Sequence, residues 1–107
     1  MSNTNRFQYE TLRSFSSSSM TGTYQALGTA LQFPAIIIKI VNNSDQIVTI
    51  STNGSNDHDI CPANGDFVYD CTKYDDGKQN GAFPSGTRFY VKGTAGSGTI
   101  YLVSIHT

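Results

Sequence analysis

The stretch Ala35-Ile36-Ile37-Ile38-Lys39-Ile40-Val41-Asn42-Asn43-Ser44-Asp45-Gln46-Ile47-Val48-Thr49-Ile50-Ser51 decides the fold class. Ile36, Ile38 and Ile40 fall on one face of an extended segment, and Ile37, Lys39 and Val41 fall on the other. Period-2 alternation of β-branched residues is the mark of a strand. Pro34 sets its start, because proline holds Phe33 extended and cannot donate to a ladder. Asn42-Asn43-Ser44-Asp45 has turn chemistry, and Gln46 to Ser51 resumes the alternation with Val48 and Ile50. The expected unit is an antiparallel hairpin.

The same reading extends in both directions. Thr21 to Gly28 is a short strand closed by glycine, and Asp57 to Cys61 and Asp66 to Thr72 are strands around the turn Pro62-Ala63-Asn64-Gly65. Lys73 through Gly81 is a polar, exposed connection, and Thr87 to Lys92 alternates with Phe89 and Val91 inward. The last strand, Thr99 to His106, is apolar on both faces, as expected of a central strand or one whose outer face meets another subunit. Seven or eight short strands with regular turn signals predict an all-β, antiparallel β-sandwich or jelly-roll-like barrel.

Composition agrees. Nine Ile and five Val stand against four Leu and a single Glu, Glu10, among 107 residues, which leaves little to build helices. Seven basic and eight acidic side chains give a net charge of -1, so attraction to nucleic acid or anionic lipid is not a driving force. No apolar run approaches the roughly 20 residues that span a bilayer. Met1-Ser2-Asn3-Thr4-Asn5-Arg6 has no apolar core of a signal peptide, so the chain is expected to be made and used inside a cell.

Residues 1–21 differ from the body, 22–107. Phe7, Tyr9, Thr11, Arg13 and Phe15 alternate with Gln8, Glu10, Leu12 and Ser14, which puts the aromatics on one side, and Ser16-Ser17-Ser18-Ser19 follows as a joint. The segment reads as an extended arm whose anchors Phe7, Tyr9 and Phe15 need a partner, or alternatively as the first strand of the chain's own sandwich. A two-layer fold this small cannot cover both faces of every strand, so the outward face of Ile37, Val41, Tyr101, Val103 and Ile105 is expected to be an interface.

No motif points to catalysis. Asn53-Gly54-Ser55-Asn56-Asp57-His58-Asp59 is rich in oxygen ligands but lacks the spacing of a calcium loop, and a plain surface loop is the better reading. The bases near neutral pH are His58 and His106, and no serine sits in a nucleophile-elbow motif. Pairing Asp57 to Cys61 with Phe67 to Cys71 as a hairpin puts the two sulfurs about 13 Å apart, too far for a bridge. No metal or cofactor is expected.

Several segments carry a resemblance: Leu12-Arg13-Ser14-Phe15, Gly22-Thr23-Tyr24-Gln25-Ala26-Leu27-Gly28-Thr29, Phe33-Pro34-Ala35, Val41-Asn42-Asn43-Ser44, Asn53-Gly54-Ser55-Asn56-Asp57-His58 and Pro84-Ser85-Gly86-Thr87-Arg88-Phe89-Tyr90-Val91-Lys92-Gly93. In order along the chain, they resemble small virion structural proteins of tailed double-stranded DNA bacteriophages. The resemblance implies a β-sandwich with an extended arm, no enzymatic residues and a homo-oligomer. It also implies partners among major capsid, portal or neck proteins, and assembly into virions in the host cytoplasm. A glycan- or receptor-binding module projecting from the particle is the competing expectation, and the absence of Trp together with the patterned N-terminal arm favours assembly over it.

Overall fold

The computed structural model describes residues 7–71, 74–75, 78–79 and 83–107. Its strands are β1 (Gln8–Tyr9), β2 (Arg13–Ser16), β3 (Gln25–Ala26), β4 (Ile37–Ser44), β5 (Val48–Ser51), β6 (Asp59–Cys61), β7 (Asp66–Asp70), β8 (Tyr74–Asp75), β9 (Lys78–Gln79), β10 (Tyr90–Gly93) and β11 (Gly98–His106). One sheet runs β1-β11-β4-β7 with β2 also on β11, the other runs β3-β10-β5-β6, and all pairings are antiparallel. The chain is an all-β sandwich. Part of the polar stretch 73–81 forms a small ribbon of β8 with β9, and the rest of it lies outside the described residues.

Alternation builds the core. Ile38 and Ile40 of β4 and Ile100 and Leu102 of β11 face Val48, Ile50 and Val91 of the second sheet, with Leu27, Leu31, Met20 and Phe89 closing the sides. Burying each such side chain contributes about 1.5 to 3 kcal/mol. β4 and β11 form the spine, paired from Gly98↔Ser44 to Ile105↔Ile37. Cβ crowding makes glycine necessary at 98, where φ is +116° and an added Cβ would lie 2.1 Å from the Asn43 carbonyl oxygen.

Both expected hairpins are arches between the sheets instead. β4 belongs to the first sheet and β5 to the second, and β6 and β7 are divided in the same way. Alternation specifies which face of a strand is apolar, and a hairpin or an arch satisfies that pattern equally. Asn42 decides it. Far from turning the chain, Asn42 is a fully buried strand residue whose side-chain amide donates to the carbonyls of Gln46 (2.8 Å), Pro62 (3.0 Å) and Cys61 (3.2 Å). Its Oδ1 accepts from Ser44 Oγ, so one side chain fastens both crossovers. Cys61 and Cys71 consequently do not face each other in a hairpin, and the thiol of Cys61 is buried in the core.

The N-terminal segment is not a free arm over its described part. β1 and β2 pair with β11, with Tyr9 opposite Ile105 and Arg13 opposite Leu102. The serine joint is a 3-10 turn, Ser17–Ser19, whose buried Ser17 accepts backbone hydrogen bonds from Met20 and Gly96. Segment and joint are packed against the sandwich, which matches the alternative reading of a strand of its own sheet; residues 1–6 lie outside the described residues.

Candidate interaction surface

The outer face of the first sheet gathers most of the residues singled out from sequence. In β4, Ile37, Lys39 and Val41 point away from the core, and in β11 Tyr101, Val103 and Ile105 do the same. The ladder sets them in rows: Tyr9, Ile105, Ile37 and Asp70; then Val103, Lys39 and Val68; then Ser14, Tyr101, Val41 and Asp66. Strand and residue spacing make this face roughly 15 by 14 Å. Tyr9 is 70% exposed and Val68 54% exposed.

Lys39 sits at the centre of the apolar rows. The two ion pairs among the described residues are Glu10–Arg13 and Asp57–Lys92, so Lys39 has no carboxylate partner among the described residues. Phe7 is 62% exposed beside this sheet's first strand. Phe15 departs from the expectation. It lies opposite Ile100 and packs on the core, because its place in β2 turns it inward, and it belongs to the fold rather than the surface.

What holds β1 and β2 in place is a buried ion pair that sequence reading missed. Arg13 Nη2 meets Glu10 Oε1 at 2.8 Å, with the two side chains 7% and 4% exposed. The guanidinium also donates to the carbonyls of Thr29 and Ala30, and Glu10 accepts from the amides of Gln32 and Phe33. Burial pushes the Glu10 carboxyl up, but Arg13 and the two amides outweigh it and hold it below its usual value. Gly28 makes room at φ +74°, where a Cβ would lie 2.7 Å from the Arg13 side chain. The available signal was the lone Glu of the chain three residues before Arg13.

The outer face of the second sheet is different in character. Tyr24 donates to Asp57 Oδ1 at 2.5 Å, Lys92 Nζ lies 2.9 Å from the same oxygen, and Lys92 sits 4.7 Å from the centre of the Tyr24 ring. Partial burial and the Asp57 bond push the Tyr24 hydroxyl up to about 12, and Tyr24 together with Lys92 holds Asp57 below its usual value.

The polar loop before β6 disperses its ligands. Asn53 Oδ1 caps the amides of Ser55 and Asn56, Asp57 goes to Tyr24 and Lys92, and Asp59 accepts from the Tyr69 hydroxyl. His58 Nδ1 accepts from the Thr52 amide at 3.1 Å and lies 3.2 Å from Thr52 Oγ1. That contact does not make a nucleophile–base pair, since the nitrogen is already occupied by the Thr52 amide and no carboxylate among the described residues bonds to the ring. His106 is buried and stacked on Phe33 at 4.3 Å. Burial raises the Cys61 thiol, which suits a packed side chain rather than a reactive one.

Comparison with protein-family models, with curated proteins and with solved structures finds no match to this chain.

Proposed function

We propose that this chain is a non-enzymatic structural protein of a tailed-phage virion, stabilising the capsid or the head-to-tail neck through protein–protein contacts. The observation that carries the reading is the outer face of the first sheet, where Ile37, Val41, Tyr101, Val103, Ile105 and Tyr9 form contiguous apolar rows around Lys39. The virion setting rests on the resemblance of the sequence segments quoted above.

Chemistry selects the occupant of this face. A partner must bring apolar side chains and a carboxylate for Lys39, because a buried ammonium with no counter-charge is strongly unfavourable. A second copy stacked about the centre of the patch would bring two Lys39 side chains together at its middle, with Asp66 and Asp70 out on the β7 rim, so the reading commits to a different virion protein. Copies of the chain then form the expected homo-oligomer side by side, each presenting the same face to the particle. The face is smaller than the roughly 800 Å² per partner of a stand-alone complex. Such a contact holds when many copies engage at once, as in a particle.

The test is incorporation into particles. Val103→Glu and Lys39→Glu chains should fold normally and be lost from purified particles, while Val103→Ile is retained. Normal incorporation of Val103→Glu would refute the reading. The glycan- or receptor-binding alternative draws on the exposed Tyr24–Asp57–Lys92 cluster of the opposite face; loss of host attachment with intact incorporation after Tyr24→Ala would favour it.

A further inference from the structure

We propose that the cavity between β6, β7 and the Phe83–Phe89 segment is a site for an organic cation, an ammonium or guanidinium group. It has a volume of about 310 Å³ and is lined by Thr52, His58, Asp59, Tyr69, Phe83 and Phe89. Two of these supply inclined aromatic walls, Tyr69 and Phe83, with ring centres 5.4 Å apart and 58° between their planes, and the buried Phe89 supports Phe83 at 5.5 Å. Aromatic faces attract cations through the ring quadrupole, and the attraction strengthens where water is displaced.

A carboxylate without a counter-charge stands beside those walls. Asp59 Oδ1 accepts from the Ile60 amide at 2.7 Å and Oδ2 accepts from the Tyr69 hydroxyl. Both donors are neutral, and no cationic side chain among the described residues lies within ion-pair distance of Asp59. The two bonds fix the carboxylate in place and leave each oxygen a lone pair for a further donor. His58, also in the lining, is turned to the Thr52 amide, from which its Nδ1 accepts.

The protein holds a filled version of the same arrangement on its other face. There Tyr24 donates to Asp57, and Lys92 both pairs with that carboxylate and sits over the tyrosine ring. The cavity repeats the tyrosine-to-aspartate bond, adds two phenylalanine rings and holds no cationic side chain among the described residues. The shared chemistry fits a lysine or arginine side chain of a neighbouring protein as well as a free amine. It does not depend on the virion reading.

The test uses the full chain, with the aromatic side chains isotope-labelled, in mildly alkaline buffer. Tetramethylammonium, methylguanidinium and the blocked amides of lysine and arginine are titrated separately and compared with the neutral isostere neopentyl alcohol. Saturable shifts of Tyr69, Phe83 and Phe89 with the cations, and affinity at least about tenfold lower for the neutral isostere, are expected. Tighter binding of the blocked amino acids identifies a protein side chain as the source, and tighter binding of tetramethylammonium or methylguanidinium identifies a free organic cation. Asp59→Asn should lower cation affinity about tenfold with the fold retained in the same spectra. Tyr69→Phe, which keeps the carboxylate and loses only its orienting bond, should lower it less. Equal binding of neopentyl alcohol, absence of saturable shifts, or unchanged affinity in Asp59→Asn would overturn the proposal.

Discussion

The side-chain amide of Asn42 donates to the backbone carbonyl of Cys61 at 3.2 Å, tying a strand of one sheet to a strand of the other. With its bonds to Gln46 and Pro62, it satisfies three carbonyls at the two points where the chain crosses between layers. Asn42→Leu fits the volume and takes this donor from the Cys61 and Pro62 carbonyls, each loss costing about 1 kcal/mol or more, while the Gln46 carbonyl keeps Ser44 Oγ. A loss of roughly 2 kcal/mol in denaturant unfolding is expected; a loss below about 0.5 kcal/mol would show that the crossovers hold without it.

The Glu10–Arg13 pair predicts an acid-sensitive attachment of β1 and β2. The folded carboxyl titrates below its ordinary value of 4.5, so its contribution is complete above that value and is lost as the pH falls through the lower, folded one. Glu10→Gln should therefore be less stable than the parent at neutral pH, by about 2 to 3 kcal/mol. The two stability curves should converge in acid. Thermal melts at a series of pH values check this, and parallel curves would contradict it.

Removing residues 1–16 deletes the strands that cover the edge of β11 and the arginine that binds the carbonyls of Thr29 and Ala30. The remaining chain is expected to lose cooperative unfolding, seen by circular dichroism and amide dispersion. A truncated chain that melts like the parent would restore the detachable arm.

Gly28→Ala should cost about 1 to 3 kcal/mol, because the positive φ and the contact with Arg13 both penalise a Cβ. Arg13→Ala in the same chain should reduce that penalty, measurable as a double-mutant cycle.

The alternation in β4 and β11 made the faces readable in advance, and with them Ile37, Val41, Tyr101, Val103 and Ile105 as one outward surface. Sheet membership was not readable, because Ile38 and Ile50 carry the same inward preference whether their strands are neighbours or opposed across the core. Asn42 reads as turn chemistry in isolation, and only the convergence of three distant carbonyls makes it a strand residue. Phe15 and Arg13 shared a period with Tyr9 in the sequence. The ladder breaks that period: Tyr9 pairs with Ile105 and Arg13 with Leu102, which requires one extra residue between them. That offset turns Arg13 and Phe15 inward while Tyr9 stays outward. The cavity beside Asp59 joins residues 52 to 89, a separation at which sequence spacing carries no signal.

The account turns on what covers the outer face of the first sheet. A reconstruction by electron microscopy of particles containing this chain, with side chains resolved, measures that directly. It should show Val103, Tyr101 and Ile37 buried against a different virion protein, with a carboxylate of that protein at Lys39. A chain bound with this face open to solvent, or absent from purified particles, would contradict the account.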